Sequence, residues 1–238
     1  MKSTLYTRKI RITDSIIVRV PSVGEILEDE DRFNESVFSI IATPYEMMVH
    51  LDDAGIDFTK ISEFELFCLR FDAIKNRDMS LIFEELDLSR FVPAVNPENG
   101  EIILADPETN IVIDRCVHRM ICDCLRKVLN MPKDDKRPGN EEARKYMLDR
   151  ARAKLKRRMR QKDKQQSQIE NYVIALVNTE QFPYNYETVL DLTIYQFYAS
   201  LKQIIHKVQF DNTMIGCYAG TVKMSDLKPK ERSWIQTS

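Results

Sequence analysis

Glycine and histidine are scarce in this sequence, which has six glycines and three histidines among its 238 residues. The glycines are too scattered to form a phosphate-binding loop, and there is no G-x-S-x-G, Walker or H-E-x-x-H motif. A catalytic cysteine or serine needs a base within hydrogen-bond reach, and no local pattern pairs one with a histidine. The sequence therefore predicts a protein that is not an enzyme.

Long apolar runs are also missing, since no stretch approaches the roughly 20 residues that a helix needs to cross a bilayer. Residues 1–14 lack the apolar segment of a secretory signal. Five cysteines, an odd number, do not resemble a disulfide framework and are typical of a reducing compartment. We expect a cytoplasmic protein that does not bind a membrane.

A cluster of zinc-ligand side-chain types consists of Cys116, His118, Cys122 and Cys124. All four lie in a predicted helix, where residues two apart point about 200° away from each other. Cys122 and Cys124 therefore do not face one ion. We expect no metal and no cofactor, and we interpret these residues as core and surface side chains.

The charged residues are unevenly distributed along a chain that has 43% apolar and 30% charged residues. The formal net charge of −2 gives no general attraction to nucleic acid. However, eleven basic residues lie between Arg144 and Lys164, whereas residues 28–31 and 52–57 are acidic. The chain is therefore electrically polarised.

Strand and helix periodicities both occur in the sequence. Apolar residues alternate with polar ones across residues 9–20, and three short apolar segments between residues 91 and 113 are separated by turn-forming residues. Helices are predicted from about residue 34, from residue 44, from residue 62, at 81–86, at 115–129, from residue 140, at 168–179 and at 186–206. The expected fold class is α+β, mainly α-helical with small antiparallel β hairpins and a meander.

Several helix starts are marked by capping residues. Ser62 is followed by a glutamate three positions later, and Asp114 and Asn140 each precede a long helix. The buried face of the helix at 115–129 is predicted from its apolar spacing. It comprises Val117, Ile121, Cys124, Leu125 and Val128.

Residues 131–140 contain two prolines, a glycine and several charges, which is typical of a linker. A chain of this length is also above the usual single-domain size. We therefore predict an N-terminal α+β module at 1–130, a linker at 131–140, and a C-terminal helical module at 141–238 that ends in a polar tail.

The basic segment 144–164 is interpreted as a helix with a solvated face or a surface for an acidic protein partner. Leu148, Ala151, Leu155 and Met159 form a narrow apolar stripe suited to docking on a neighbour. Nucleic-acid binding is a weaker alternative, because acidic residues interrupt the basic run and Tyr146 is its only aromatic residue.

Aromatic residues near the C-terminus are the second candidate for partner contacts, since tyrosine and tryptophan are enriched at protein interfaces. Core packing is the competing interpretation for these side chains. The candidate partner-binding residues are Arg144, Arg150, Arg152, Lys156, Arg157, Arg160, Tyr184, Tyr186 and Trp234.

The C-terminal third resembles proteins encoded among the tail genes of phages that infect Gram-positive bacteria. The residues that carry the resemblance are the segments 136–141, 184–186, 192–197 and 216–220 with Trp234, and more loosely 21–26. Such proteins are similar to tail-assembly chaperones, which hold the tape measure protein soluble during assembly. The resemblance implies a non-enzymatic factor that acts in the host cytoplasm.

Other functions stay open at this point. The expected partner is the tape measure protein or another tail protein, and self-association into a homo-oligomer is also compatible with the sequence. The alternatives are a structural subunit of the virion tail or neck and a nucleic-acid-binding regulator that uses the helix at 144–164.

Overall fold

The computed structural model describes residues 3–97, 99–133, 137–160 and 167–235. These residues form the expected mainly helical α+β fold. The α-helices of this part are α1 (Val23–Leu27), α2 (Glu30–Ile41), α3 (Met48–Asp53), α4 (Glu63–Leu69), α5 (Phe71–Ile74), α6 (Arg115–Val128), α7 (Glu141–Arg160), α8 (Gln168–Val177) and α9 (Ile194–Tyr218). None of these helices has both the length and the hydrophobicity needed to span a membrane.

The strands form two small antiparallel sheets, as predicted. They are β1 (Lys9–Arg11), β2 (Ile17–Arg19), β3 (Val92–Val95), β4 (Ile102–Ala105) and β5 (Val112–Ile113). In the hairpin Ile10 pairs with Val18. In the meander β4 is central, and its Leu104 pairs with Pro93 on one side and with Ile113 on the other. Leu104 and Ile113 are buried and attach the meander to the main core.

The predicted capping residues are confirmed. Ser62 and Glu65 form a capping box at the start of α4. The Val117 amide donates to the Asp114 carboxylate over 2.7 Å, and the Ala143 amide donates to the Asn140 side chain over 2.7 Å. These contacts satisfy amides that have no partner within the helix.

Two predicted helices differ from the structure. Residues 81–86 form no helix and instead lie beside β2, where the Arg19 amide donates to the Ile82 carbonyl over 2.8 Å. The helix predicted at 186–206 begins only at Ile194, after a capping box formed by Thr193 and Gln196. It continues through Gly216 to Tyr218 and ends just before Gly220, whose positive φ is typical of a helix C-terminus.

The main hydrophobic core contains residues from both sides of the predicted linker. Phe197 and Ile194 of α9 belong to the same cluster as Val23 and Ile26 of α1. Backbone hydrogen bonds reinforce this junction: the Val23 amide donates to the Leu192 carbonyl over 2.9 Å, and the Ile194 amide to the Pro21 carbonyl over 2.8 Å. Residues on both sides of the predicted linker at 131–140 thus contribute to one cluster.

A second, smaller core lies beneath α7. Its buried members are Ala42, Met48, Val49, Leu51, Phe58 and Leu66. Leu148, Ala151 and Leu155 pack against this cluster, so three of the four residues of the predicted docking stripe do contact a neighbour. Met159, the fourth, is 68% exposed. α7 therefore docks through its N-terminal and central turns.

Candidate partner-binding surface

The inner face of α7 contacts the acidic segment that begins at the C-terminal end of α3. One Nη atom of Arg152 lies 2.8 Å from a carboxylate oxygen of Asp52 and 2.6 Å from one of Asp53. The basic and acidic patches evident in the sequence are thus brought into direct contact. Arg152 was a candidate partner-binding residue, but its guanidinium is engaged within the chain.

Arg144, in the first turn of α7, is engaged in the same way. Its Nε lies 3.5 Å from the Asp57 carboxylate, and its guanidinium lies 5.2 Å from the ring centroid of Phe58. Hydrogen bonds from Thr59, with a further contribution from Arg144, hold the pKa of Asp57 below its usual value. Arg144 thus covers the smaller core, and this position attaches α7 to the rest of the molecule.

Replacing Arg152 with alanine is expected to lower the urea midpoint of unfolding slightly at low salt. The effect should shrink in high salt, because screening weakens exposed ion pairs. The control is Arg150→Ala, which removes the same side chain from the outer side of α7, where it has no ion pair with any described residue. Equal effects from the two substitutions at both salt concentrations would contradict this role for Arg152.

The outer face of α7 carries basic side chains that have no such partners. Tyr146, Arg150, Ala153, Arg157 and Arg160 follow one another at intervals of three or four residues, opposite the docked stripe. The exposed cations of α7 are Lys145, Arg150, Lys154, Lys156, Arg157, Arg158 and Arg160, which we call the basic ridge. All seven are exposed, and no described residue forms an ion pair with them.

Opposing charge along the ridge is almost absent from the sequence itself. Asp149 is the only acidic residue between positions 145 and 160. The candidates Arg150, Lys156, Arg157 and Arg160 all belong to the ridge, so the structure assembles these four into one surface. The ridge can attract an anionic partner because its charge is not neutralised by the rest of the described chain.

Tyr184 lies elsewhere, in a groove of about 480 Å³ between α9 and the N-terminal residues. Leu5, Tyr6 and Phe182 also line the groove, and the rings of Phe182 and Tyr184 lie 5.1 Å apart. No pattern in the sequence groups Tyr6 with Tyr184, because the two positions are brought together only by tertiary packing. None of the residues that line the groove belongs to α7.

The other two aromatic candidates, Tyr186 and Trp234, are exposed, and only one of them lies next to the groove. The carbonyl of Trp234 accepts a hydrogen bond from Gln203, which also lines the groove, over 2.6 Å. Trp234 therefore lies next to the groove. Tyr186 is not among the lining residues, and its hydroxyl accepts a hydrogen bond from Asn178 over 3.1 Å. The candidate residues thus fall on at least two separate surfaces.

His118 and Cys122 of α6 belong to the core, whereas Cys124 is partly buried and Cys116 is exposed. His118 Nε2 lies 3.1 Å from the Ile40 carbonyl and 3.6 Å from Cys122 Sγ. Burial lowers the pKa of His118 to about 4 and raises the pKa of Cys122 to about 12, so both side chains are neutral at pH 7. Among the described residues, no group of three potential ligands is arranged to hold a metal.

The predicted buried face of α6 is partly wrong. Ile121, Leu125 and Val128 are buried as expected, but Val117 and Cys124 are only partly buried. The fully buried positions that the prediction omitted are His118, Cys122 and Arg126. Their side chains contact the carbonyls of Ile40 and Ile41 at the end of α2, which have no partner within that helix.

Comparison with known proteins gives a match in the C-terminal part of the chain. No curated protein and no solved structure matches the sequence. Residues 161–238 match a family model described as the YomV second domain, a phage-associated family. The matched range includes α8, α9 and Tyr184 but not the basic ridge. This match supports a phage origin for the protein.

Proposed function

We propose that this protein is a non-enzymatic phage tail-assembly factor that acts in the host cytoplasm by binding another tail protein, with the tape measure protein as its partner. The observation that carries the proposal is the basic ridge. The arginines on the inner face of α7 have carboxylate partners within the chain, whereas the cations on the outer face have none among the described residues. The ridge is therefore available to a separate molecule.

The chemistry of the ridge matches an acidic, elongated protein segment. Arginine forms bidentate hydrogen bonds with carboxylates and is enriched among the residues that dominate interface energies. α7 extends over about 30 Å at 1.5 Å per residue, so its cations can contact several turns of a partner helix. Complementary charge would speed association and select this partner over less acidic ones.

A charge-reversal variant tests the proposal. Arg150→Glu, Arg157→Glu and Arg160→Glu together are expected to reduce capture of the tape measure protein from phage-infected cells by at least tenfold. The fold should persist, because the three side chains are exposed and make no ion pair with described residues. The control reverses three exposed cations elsewhere, Arg119, Lys127 and Lys230, for the same change in net charge.

The outcomes separate the assembly factor from a virion subunit. An assembly factor should capture the tape measure protein and be absent from purified particles, whereas a tail or neck subunit should be present in particles in fixed copy number. If the ridge variant and the control variant reduce capture of the tape measure protein equally, the ridge is not the binding surface. Failure of the wild-type chain to capture the tape measure protein would reject this choice of partner.

Nucleic-acid binding is the second candidate, because the cations of the ridge extend to both sides of α7. Lys145 and Lys156 lie on one flank, and Lys154 and Arg158 lie on the other. A helix with this distribution can contact phosphates on both sides of a groove. Binding of duplex DNA that weakens steeply with salt, and that the ridge variant loses, would favour this function over the assembly factor.

A further inference from the structure

The C-terminal two-thirds of α9 is only partly covered by the rest of the chain. The helix has 25 residues and is about 37 Å long at 1.5 Å per residue. Its buried residues, Ile194 and Phe197, both lie in the first turn. From Leu201 to Tyr218 no residue is fully buried, although many of them are apolar. This part of the helix therefore has apolar surface without a sufficient partner among the described residues.

The residues on one side of α9 follow a seven-residue repeat, and all of them except one are apolar or aromatic. Tyr198, Ile205 and Asn212 occupy one set of equivalent positions, and Leu201, Val208 and Ile215 occupy the other, with alternating spacings of three and four residues. We call these six residues the seam. This is the a and d pattern of a coiled coil. Tyr198 and Leu201 are half-buried, whereas Ile205 is 48%, Val208 42% and Ile215 65% exposed.

The C-terminal tail covers the opposite side of the same helix. The Gln203 side chain donates to the Trp234 carbonyl over 2.6 Å, and His206 Nε2 lies 2.8 Å from the Ser233 carbonyl. Gln203 and His206 are on the face of α9 that points away from the seam, as the helical repeat of 3.6 residues places them. The described tail is therefore engaged on the other face and does not cover the seam.

We propose that a second copy of this chain occupies the seam, so that two α9 helices form a parallel, two-stranded coiled coil. Asn212 is the observation that selects this occupant. A single asparagine at an a position pairs with the same asparagine of the other strand, and it specifies a parallel dimer in register. Any other alignment would place the Asn212 amide opposite an apolar residue without a hydrogen-bond partner.

The residues that flank the seam are compatible with this arrangement. In a parallel coil each g position faces the e position of the next repeat of the partner. Asp211 would therefore face Gly216, and Ile204 would face Gln209, so like charges do not oppose each other. Asp211 also has its own counter-ion, since Lys207 Nζ lies 2.5 Å from its carboxylate within the same helix.

The free part of the seam is short. Tyr198 and Leu201 already pack against the main core of their own chain, so a second copy would contact Ile205, Val208, Asn212 and Ile215. This contact is smaller than the roughly 1,200 Å² at which stable interfaces begin, which is typical of a weak complex. It lies beyond the buried first turn of α9, so two copies can approach along this part of the helix. We therefore expect a dimer that dissociates on dilution. This inference does not depend on the proposed function, because the seam and the basic ridge lie on different helices.

Sedimentation velocity of the full chain tests the dimer, over a concentration range of about 1 to 100 µM. The wild-type chain is expected to dimerise, and Ile215→Lys is expected to weaken dimerisation at least tenfold. Ile215 is mostly exposed in the single chain, so this variant should retain the wild-type circular dichroism spectrum. The matched control is Ile174→Lys on α8, where the side chain is 46% exposed and outside the seam.

Oxidative cross-linking tests the parallel register. Asn212→Cys is expected to give a covalent dimer under mild oxidation, because residues at an a position face each other in a parallel coil. The wild-type chain and the double variant with Ile215→Lys should cross-link far less. A monomer at every concentration would overturn the proposal, and so would a dimer that Ile215→Lys and Ile174→Lys affect equally. A dimer in which Asn212→Cys does not cross-link would overturn the parallel register.

Discussion

Replacing Phe197 with alanine is expected to lower the free energy of unfolding by about 3–5 kcal/mol, the usual cost of removing a fully buried aromatic side chain. Phe197 is 0% exposed and belongs to the cluster that also contains residues of α1, α2 and α6. Because this core is shared, the loss should be seen throughout the chain. Urea unfolding followed by circular dichroism measures the free energy, and hydrogen exchange of the α2 and α6 amides shows where stability is lost.

The hydrogen-exchange result distinguishes a shared core from two independent modules. If the modules at 1–130 and 141–238 were independent, Phe197→Ala would loosen α8 and α9 but leave the protection of α2 and α6 unchanged. We expect protection to fall in both parts. The control is Tyr146→Ala, which truncates an aromatic residue that is 66% exposed and should change stability by less than about 0.5 kcal/mol.

Acidification from about pH 6.5 to pH 4 is expected to remove about 3 kcal/mol of stability through His118 alone. Burial lowers the pKa of His118 in the folded chain from 6.5 to about 4. In this range the unfolded chain binds a proton at His118 that the folded chain does not, so the unfolded state is favoured as pH falls. The full stability is present above pH 6.5, and no further loss comes from His118 below its folded pKa.

His118→Gln isolates this contribution, because glutamine does not titrate and its amide can still donate to the Ile40 carbonyl. The free energy of unfolding should be measured by urea denaturation at several pH values for both chains. Carboxylates with lowered pKa values, such as Glu25 and Glu65, lose their contributions mainly below about pH 4.5 and are common to both chains. Parallel pH profiles above that value would contradict the assignment to His118.

Short-range signals explain why much of the fold could be predicted from sequence. The capping residues Ser62, Asp114 and Asn140 act within three positions of themselves, so the starts of their helices do not depend on tertiary context. The hairpin and the meander are also local, since each strand pairs with the next one along the chain. Residues 81–86 were misjudged because their backbone pairs with β2, more than sixty residues earlier.

Tertiary contacts explain why the predicted buried face of α6 is partly wrong. Hydropathy alone assigns His118 and Arg126 to the surface, but both side chains contact carbonyls at the end of α2, about 80 residues away in sequence. Burial of these polar groups is tolerated because they gain hydrogen-bond partners there. No periodicity within α6 could reveal that requirement.

The sequence predicts the basic residues of the candidate surface, but not which of them face outward. The basic run and the acidic segment 52–57 were both evident, yet the sequence could not show that Arg144 and Arg152 face that segment while Arg150, Arg157 and Arg160 face outward. The difference depends on which side of α7 meets the smaller core. Likewise, the apolar spacing of α9 predicts a helix but does not show that part of its seven-residue repeat is exposed.

The backbone junction between residues 21–23 and 192–194 has a consequence for synthesis on the ribosome. Val23 and Ile26 are made about 170 residues before the Leu192 carbonyl and the Ile194 amide, which complete this junction. At a translation rate of about 5–20 residues per second, α1 lacks its contacts with residues 192–194 for roughly 10–30 seconds. During that interval the nascent chain exposes apolar surface, so its yield in the cell should depend on chaperones that bind unfinished chains.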